Sequence, residues 1–182
     1  DHPDLKQAHG NLGNVLFTLG DAAGARESFE RVVATLSRTV SGDHPELQAA
    51  RQSLAYAAVA LGDSAEAREL FEKILDARSR TLPENHPHLL GAYLNLGSIL
   101  CILGDLPAAR ELQERVLEVR SRILADDHSE LQATRGNLAS TLFALGDVAG
   151  ARELQEKVLE VFSRTLPEDH PDLQGAWLNH GN

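Results

Sequence analysis

The sequence has one cysteine, Cys101, no methionine, and aromatic residues at only 4% of its 182 positions. A single thiol excludes an internal disulfide framework and points to a reducing, cytoplasmic setting. No apolar run is long enough for a membrane span or for the core of a signal peptide, so no membrane association is expected. Basic residues are outnumbered, 17 Lys and Arg against 27 Asp and Glu, which leaves a formal net charge of -10. Nucleic acid and anionic membranes, which both demand clustered cations, are poor partners for such a chain. The lack of methionine, together with a start on what proves to be a repeat boundary, predicts that the sequence is cut from a longer protein. What is present is apolar material at 42% of positions, dominated by alanine and leucine. That balance suits close-packed helices better than β-branched, aromatic-rich sheets.

The chain repeats itself. Asp1-His2-Pro3 returns as Asp43-His44-Pro45, Asn85-His86-Pro87, Asp127-His128-Ser129 and Asp169-His170-Pro171, each step 42 residues without insertion or deletion. A second marker, Leu-Gly-Asp, holds the same register at Leu19-Gly20-Asp21, Leu61-Gly62-Asp63, Leu103-Gly104-Asp105 and Leu145-Gly146-Asp147. Self-similarity at such a period signals a repeat architecture. The units run 1–42, 43–84, 85–126 and 127–168, with a partial fifth at 169–182, and are expected to form a single array over 1–182.

Each unit reads as two helices. Leu131, Leu138, Leu142 and Leu145 line one face of a first helix, and Gly146 stops it by adopting a left-handed C-cap conformation. The following aspartate is placed to cap the second helix, as in Asp63-Ser64-Ala65-Glu66, after which Ala67, Leu70, Phe71, Ile74 and Leu75 keep helical spacing. A polar connector such as Thr81-Leu82-Pro83-Glu84-Asn85 closes the unit. The Asp-His-Pro segment then starts the next helix with a cap, an early proline and acids near the positive end of the dipole. The expected fold is all-α, a solenoid of tandem antiparallel helix hairpins.

These columns resemble the tetratricopeptide repeats (TPR), in the longer form found in kinesin light chains. The matching positions are Leu12, Leu54, Leu96 and Leu138; the small residues Gly13, Ala55, Gly97 and Ala139; the turn glycines; and Ala25, Ala67, Ala109 and Ala151. Phe29 and Phe71 fit the aromatic of the second helix, whereas Gln113 and Gln155 depart from it. The resemblance implies a right-handed superhelix whose concave groove, lined by first helices, binds a peptide or partner protein, and no enzymatic activity. One hairpin cannot bury its apolar faces alone, so about three units are needed for stability. The fifth unit ends within its first helix, which predicts an exposed apolar end near Trp177 fit for head-to-tail self-association.

By the same resemblance, a periodic column of Asn11, Asn95, Asn137 and Asn179, with Ser53 in the second unit, faces the groove, where an amide can donate to and accept from an extended peptide backbone. The competing reading is that each asparagine bridges neighbouring helices. Asn14, Tyr56, Ser98 and Ser140 would line the groove beside it, with Phe17, Val59, Cys101 and Phe143 one turn further on, although such stripes also serve as inter-helix core. The lysine and arginine pattern with which similar repeats clamp a terminal carboxylate is missing. An uncharged peptide, or one with a basic flank answering the acidic body, therefore suits the surface better. A further column alternates: His9, Arg51, Tyr93, Arg135 and Trp177. Arginine and aromatic side chains on successive first helices could stack, or the alternation could record only the duplication of an 84-residue pair.

No chemistry beyond binding is expected. His2, His44, His86, His128 and His170 fall one per unit, too far apart to share an ion at normal helix spacings of about 10 Å. Only His86 and His88 are close, so no metal and no cofactor are predicted. Cys101 lies in an apolar column where a small thiol is an ordinary occupant, and no strand precedes a glycine-rich phosphate loop. Charged pairs such as Arg110 with Glu114, Arg152 with Glu156 and Glu153 with Lys157 have the spacing of a solvated helix face. The function expected is a protein-interaction scaffold and, as the alternative, a structural spacer or self-assembling rod with no peptide ligand; an enzyme, the third class, would require a domain outside these residues.

Overall fold

The computed structural model describes the backbone of residues 3–180 and the side chains of residues 5–177. Among the described residues the secondary structure is nine α-helices: α1 (Pro3–Thr18), α2 (Ala22–Thr39), α3 (Pro45–Ala60), α4 (Ser64–Thr81), α5 (Pro87–Ile102), α6 (Leu106–Ile123), α7 (Ser129–Ala144), α8 (Val148–Thr165) and α9 (Pro171–His180). In the four full units the first helices have 16 residues and the second helices 18, so the period longer than the common 34-residue form goes into helix length. The helices fall into two compact units, Asp1–Leu103 and Gly104–Asn182. Within the first, α1 to α4 each pack on the next helix, and within the second, α6 to α8 do the same.

The tight turns form for the reason the sequence indicates. Gly20, Gly62, Gly104 and Gly146 have φ of 83°, 79°, 82° and 84°, the left-handed region that a Cβ disfavours. Asp21, Asp63, Asp105 and Asp147 then cap the second helices by accepting the backbone N–H three residues on. The first helices use a different cap. His44, His86 and His128 are the capping residues, and each Nδ1 accepts the N–H two residues on, at 3.1 to 3.2 Å. One histidine per unit is thus explained by helix initiation.

The cores lie between the faces of successive helices. Val32 and Leu36 of α2 meet Leu47 and Ala50 of α3 in the first unit, and Leu138 and Leu142 of α7 meet Ala151 of α8 in the second. Phe29 and Phe71 are both buried, and Gly13 sits so close under Phe29 that a Cβ there would lie 2.5 Å from the ring. Gln113 holds the equivalent place in α6 and is buried as well.

The two arginines of the alternating column are tied to the connectors that precede their helices. Gln48 and Arg51 both donate to the carbonyl of Gly42, at 2.5 and 3.3 Å. Gln132 donates to the carbonyl of Asp126, and Arg135 reaches the Asp126 carboxylate at 2.7 Å. Each pair clips the connector before its own helix, and these two connectors, Val40-Ser41-Gly42-Asp43 and Leu124-Ala125-Asp126-Asp127, lack proline. Where the connector carries Pro83, the same two positions are Leu90 and Tyr93, both buried. Pro167 precedes Gln174 and Trp177, so it is the arginine of the clip, not the glutamine, that alternates with a connector proline, a residue that pre-sets its own backbone. Leu124 is already extended, at φ -109° and ψ 150°, as a residue before proline must be. Arg135→Ala should therefore cost about 1 kcal/mol in the native chain. It should cost less than half of that in an Ala125→Pro background; equal losses by urea denaturation in both would dissociate the clip from the proline.

Candidate functional site

In the first compact unit, α3 presents one side to two neighbouring clefts. The first, of about 310 Å³, lies between α1 and α3 and is lined by Gln7, Gly10, Asn14, Ala49 and Ser53 over a floor of Phe29, Val32 and Leu36 from α2. Lys6 of α1 and Glu46 of α3 close its rim with a 2.7 Å ion pair, which holds the Glu46 carboxyl below the usual carboxylate range. The second, of about 680 Å³, is lined by Gln48, Ala49, Gln52, Ser53 and Tyr56 of α3, by Arg78 and Thr81 of α4, and by His86 and His88 at the start of α5. Ala49 and Ser53 belong to both clefts, so the two lie side by side across α3.

Tyr56 is the hub of the second cleft. It is 41% exposed, yet its ring packs edge-on against Phe71 with centroids 5.8 Å apart. Its hydroxyl accepts from Gln52 Nε2 at 3.1 Å and from Asn95 Nδ2 of α5 at 3.0 Å. Gln52 Oε1 in turn accepts from Arg78 at 2.8 Å, and the other Arg78 nitrogen donates to the His88 carbonyl at 2.9 Å. Burial lowers the Arg78 pKa, an effect that the nearby Tyr56 partly offsets. The result is an aromatic ring and a guanidinium fixed at one cleft by a network spanning three helices, each group positioned before any ligand arrives.

The predicted asparagine column is not uniform. Asn95 is half-buried and bridges to Tyr56, whereas Asn11 is exposed and accepts from Gln7 of its own helix at 3.0 Å. Asn14 is exposed at the first cleft, and Ser98 is exposed with its hydroxyl turned to the Leu94 carbonyl at 2.9 Å. In the second compact unit Asn137 is exposed, while Ser140 donates to the Gly136 carbonyl at 3.0 Å and lines a recess of only about 40 Å³ with Gln155, Val158 and Ala176. The Asn179 side chain lies outside the described residues. Of the flanking column, Phe17 and Phe143 are exposed, and Val59 and Cys101 are half-buried. Gln52 and Arg78 were not singled out by sequence reasoning, and His88 was noted only as a close neighbour of His86. The signal available for Arg78 was a break in an apolar column: its equivalents are Leu36, Arg120 and Phe162.

Among the described residues no group of three His, Cys, Asp or Glu side chains gathers in a geometry that could hold a metal ion. No helix among them is long and apolar enough to cross a membrane.

Comparison with known proteins agrees with this geometry. The tetratricopeptide repeat family model matches residues 4–80 and again 88–164. Kinesin light chain-like, nearly identical TPR-like repeats from Podosopora anserina superpose with a TM-score of 0.87 at 29% identity, over 99% of this chain and 85% of that one. BtubC (BKLC) from P. vanneervenii matches with a TM-score of 0.79 at 20% identity, over 96% and 70% of the two chains. The apo form of RapI matches at 0.76 and 14% identity, over 91% and 58%. These last two likenesses establish the fold alone. No curated protein matches the chain. With two family matches that between them take in most of the sequence, and helices that step by 42 residues, the chain belongs to the tetratricopeptide repeat family, in its kinesin-light-chain-like form.

Proposed function

We propose that the chain binds an extended segment of a partner polypeptide across the two clefts of α3, with Tyr56 and Asn95 as its central contacts. Membership of the family makes the chain a protein-interaction scaffold; the peptide mode and its residues are the finer reading. The observation that supports it is Tyr56, a large exposed ring held in one orientation by Phe71, Gln52 and Asn95. A rigid aromatic with a polar tip gives contact area at low entropic cost, which is why tyrosine is favoured where proteins meet. Asn11, Asn14 and Ser98 extend the same surface within the first compact unit, and Asn137, Ser140 and Asn179 are the corresponding positions further along the five-unit series. The chain acts by binding alone, without catalysis, in a cytoplasmic setting.

The test is selection from a random-peptide display library, followed by affinity measurement on a Tyr56→Phe, Asn95→Ala double variant. Tyr56→Phe keeps the ring on Phe71 and removes only the hydroxyl. Captured peptides should bind the variant about 10-fold more weakly, as the loss of one or two interfacial hydrogen bonds implies, with helicity and melting nearly unchanged. Equal binding by the variant would remove this cleft from the reading. A native chain that captures no peptide but whose size grows with concentration would favour the self-assembling rod, with exposed Trp177 the first position to change.

A further inference from the structure

The clefts differ in their floors, and the difference names a ligand class. Leu36 in the first becomes Arg78 in the second. Arg78 and Arg120 occupy the same position of successive units and make the same first contact, each donating to the carbonyl of the residue ten places on, His88 at 2.9 Å and Glu130 at 3.0 Å. Their charges are treated differently. Arg120 has a carboxylate partner, Glu130 Oε2, at 2.9 Å. At the equivalent of Glu130 the second cleft has His88, and Arg78 has no carboxylate partner among the described residues; its remaining bond is to the neutral Gln52 amide. The carboxylate that lines the cleft, Asp43, lies 2.5 Å from Arg80. A half-buried guanidinium without a counter-charge is a costly arrangement unless something supplies one.

We infer that the second cleft takes an acidic side chain, aspartate or glutamate, from the bound peptide, with Arg78 as its partner and the Tyr56 hydroxyl and Gln52 amide beside it. This rests on the peptide-binding reading above and specifies what one position of the peptide must be. A side chain suits the site better than a terminal carboxylate, because the peptide has an adjoining cleft to continue into across Ala49 and Ser53. The inference is local. The chain as a whole carries a net charge of -10, so a basic flank on the same peptide is compatible with it. The guanidinium provides a charge-assisted bond whose strength comes from partial desolvation.

The chain's own repeats provide two variants that the fold already tolerates. Arg78→Leu installs the residue that the first unit uses at this position. His88→Glu installs the carboxylate that neutralises Arg120, and so cancels the charge of Arg78 without removing it. The random-peptide library selected on the native chain should return an aspartate or glutamate at one fixed position. A synthetic copy of a captured peptide should lose about 10-fold or more in affinity when that acid becomes its amide. On either variant the acid and amide peptides should bind within about 2-fold of each other, still above background through the Tyr56 and first-cleft contacts. Captured peptides without a shared acid, or an acid preference undiminished in both variants, overturn the assignment while leaving the peptide-binding reading intact. A preference only for a C-terminal acid replaces the side chain with a terminal carboxylate and overturns it too. A chain that captures nothing removes both readings together.

Discussion

Replacing Phe71 with alanine is expected to cost about 3–5 kcal/mol of stability, among the largest effects available from one substitution in this chain. Phe71 is 1% exposed and lies in α4 with Ala67, Leu70, Ile74 and Ala77, all buried. Its neighbours are fixed by their own helices and cannot collapse into the space a ring leaves, so most of the cavity should persist. The loss also removes the edge-to-face partner of Tyr56, a contact worth about 0.5–1.5 kcal/mol beyond the buried area. Urea denaturation should show a lower midpoint, and a loss below about 1.5 kcal/mol would mean that the first compact unit repacks around the site. Phe71→Leu, which retains most of the apolar volume, should recover at least half of the stability. It should not recover peptide affinity, since the tyrosine would still lack its platform. Separation of the two readouts would show that Phe71 serves the cleft as well as the core.

How much of this was legible before the structure follows from what each pattern reports. Helix ends were legible because their causes are local: a glycine at positive φ and an aspartate accepting a nearby N–H need only a few adjacent residues. Buried faces were legible because a 3.6-residue period has one geometric meaning. The bridging of Asn95 to Tyr56 was open between two readings, because an amide one repeat away from a hydroxyl is defined only once two helices have packed. The alternating column was seen, but the hold of its arginines on the preceding connectors was not. Arginine and glutamine have long side chains whose partners depend on where a connector carbonyl lies, and stacking on the next helix could not be separated from a clip on the preceding loop. The clue was the connector itself, since proline is absent before the helices of Gln48-Arg51 and Gln132-Arg135 and present before that of Leu90-Tyr93. Likewise Arg78 and Arg120 are cations in a column otherwise filled by Leu36 and Phe162, a break that sequence reasoning passed over, and only the structure shows that one has a carboxylate partner and the other does not.

Arg120 provides the second large effect, and its sign depends on the replacement. The side chain is 9% exposed, donates to Thr134 Oγ1 at 2.7 Å and to the Glu130 carbonyl at 3.0 Å, and leaves its Nε without a partner. Burial lowers its pKa, and Glu130 partly offsets that. Arg120→Ala removes both the bonds and the packing of the stem, and should cost about 3 kcal/mol or more. Arg120→Leu is expected to lie within about 1 kcal/mol of the native chain, because a buried ion pair is often no more stable than an apolar group of similar volume. The chain already uses that solution at Leu36, which is 3% exposed. Two features of the site favour tolerance: Thr134 keeps its own bond to the Glu130 carbonyl at 2.8 Å, and the Glu130 side chain is 57% exposed and free to return to water. Thermal and urea unfolding of the two variants decide the matter. If Arg120→Leu is as damaging as Arg120→Ala, the guanidinium is holding α6 to the first turn of α7 through bonds that volume cannot replace. If leucine restores stability and alanine does not, the arginine at this position is a filler whose charge is dispensable for folding, which leaves the equivalent charge at Arg78 available for a partner.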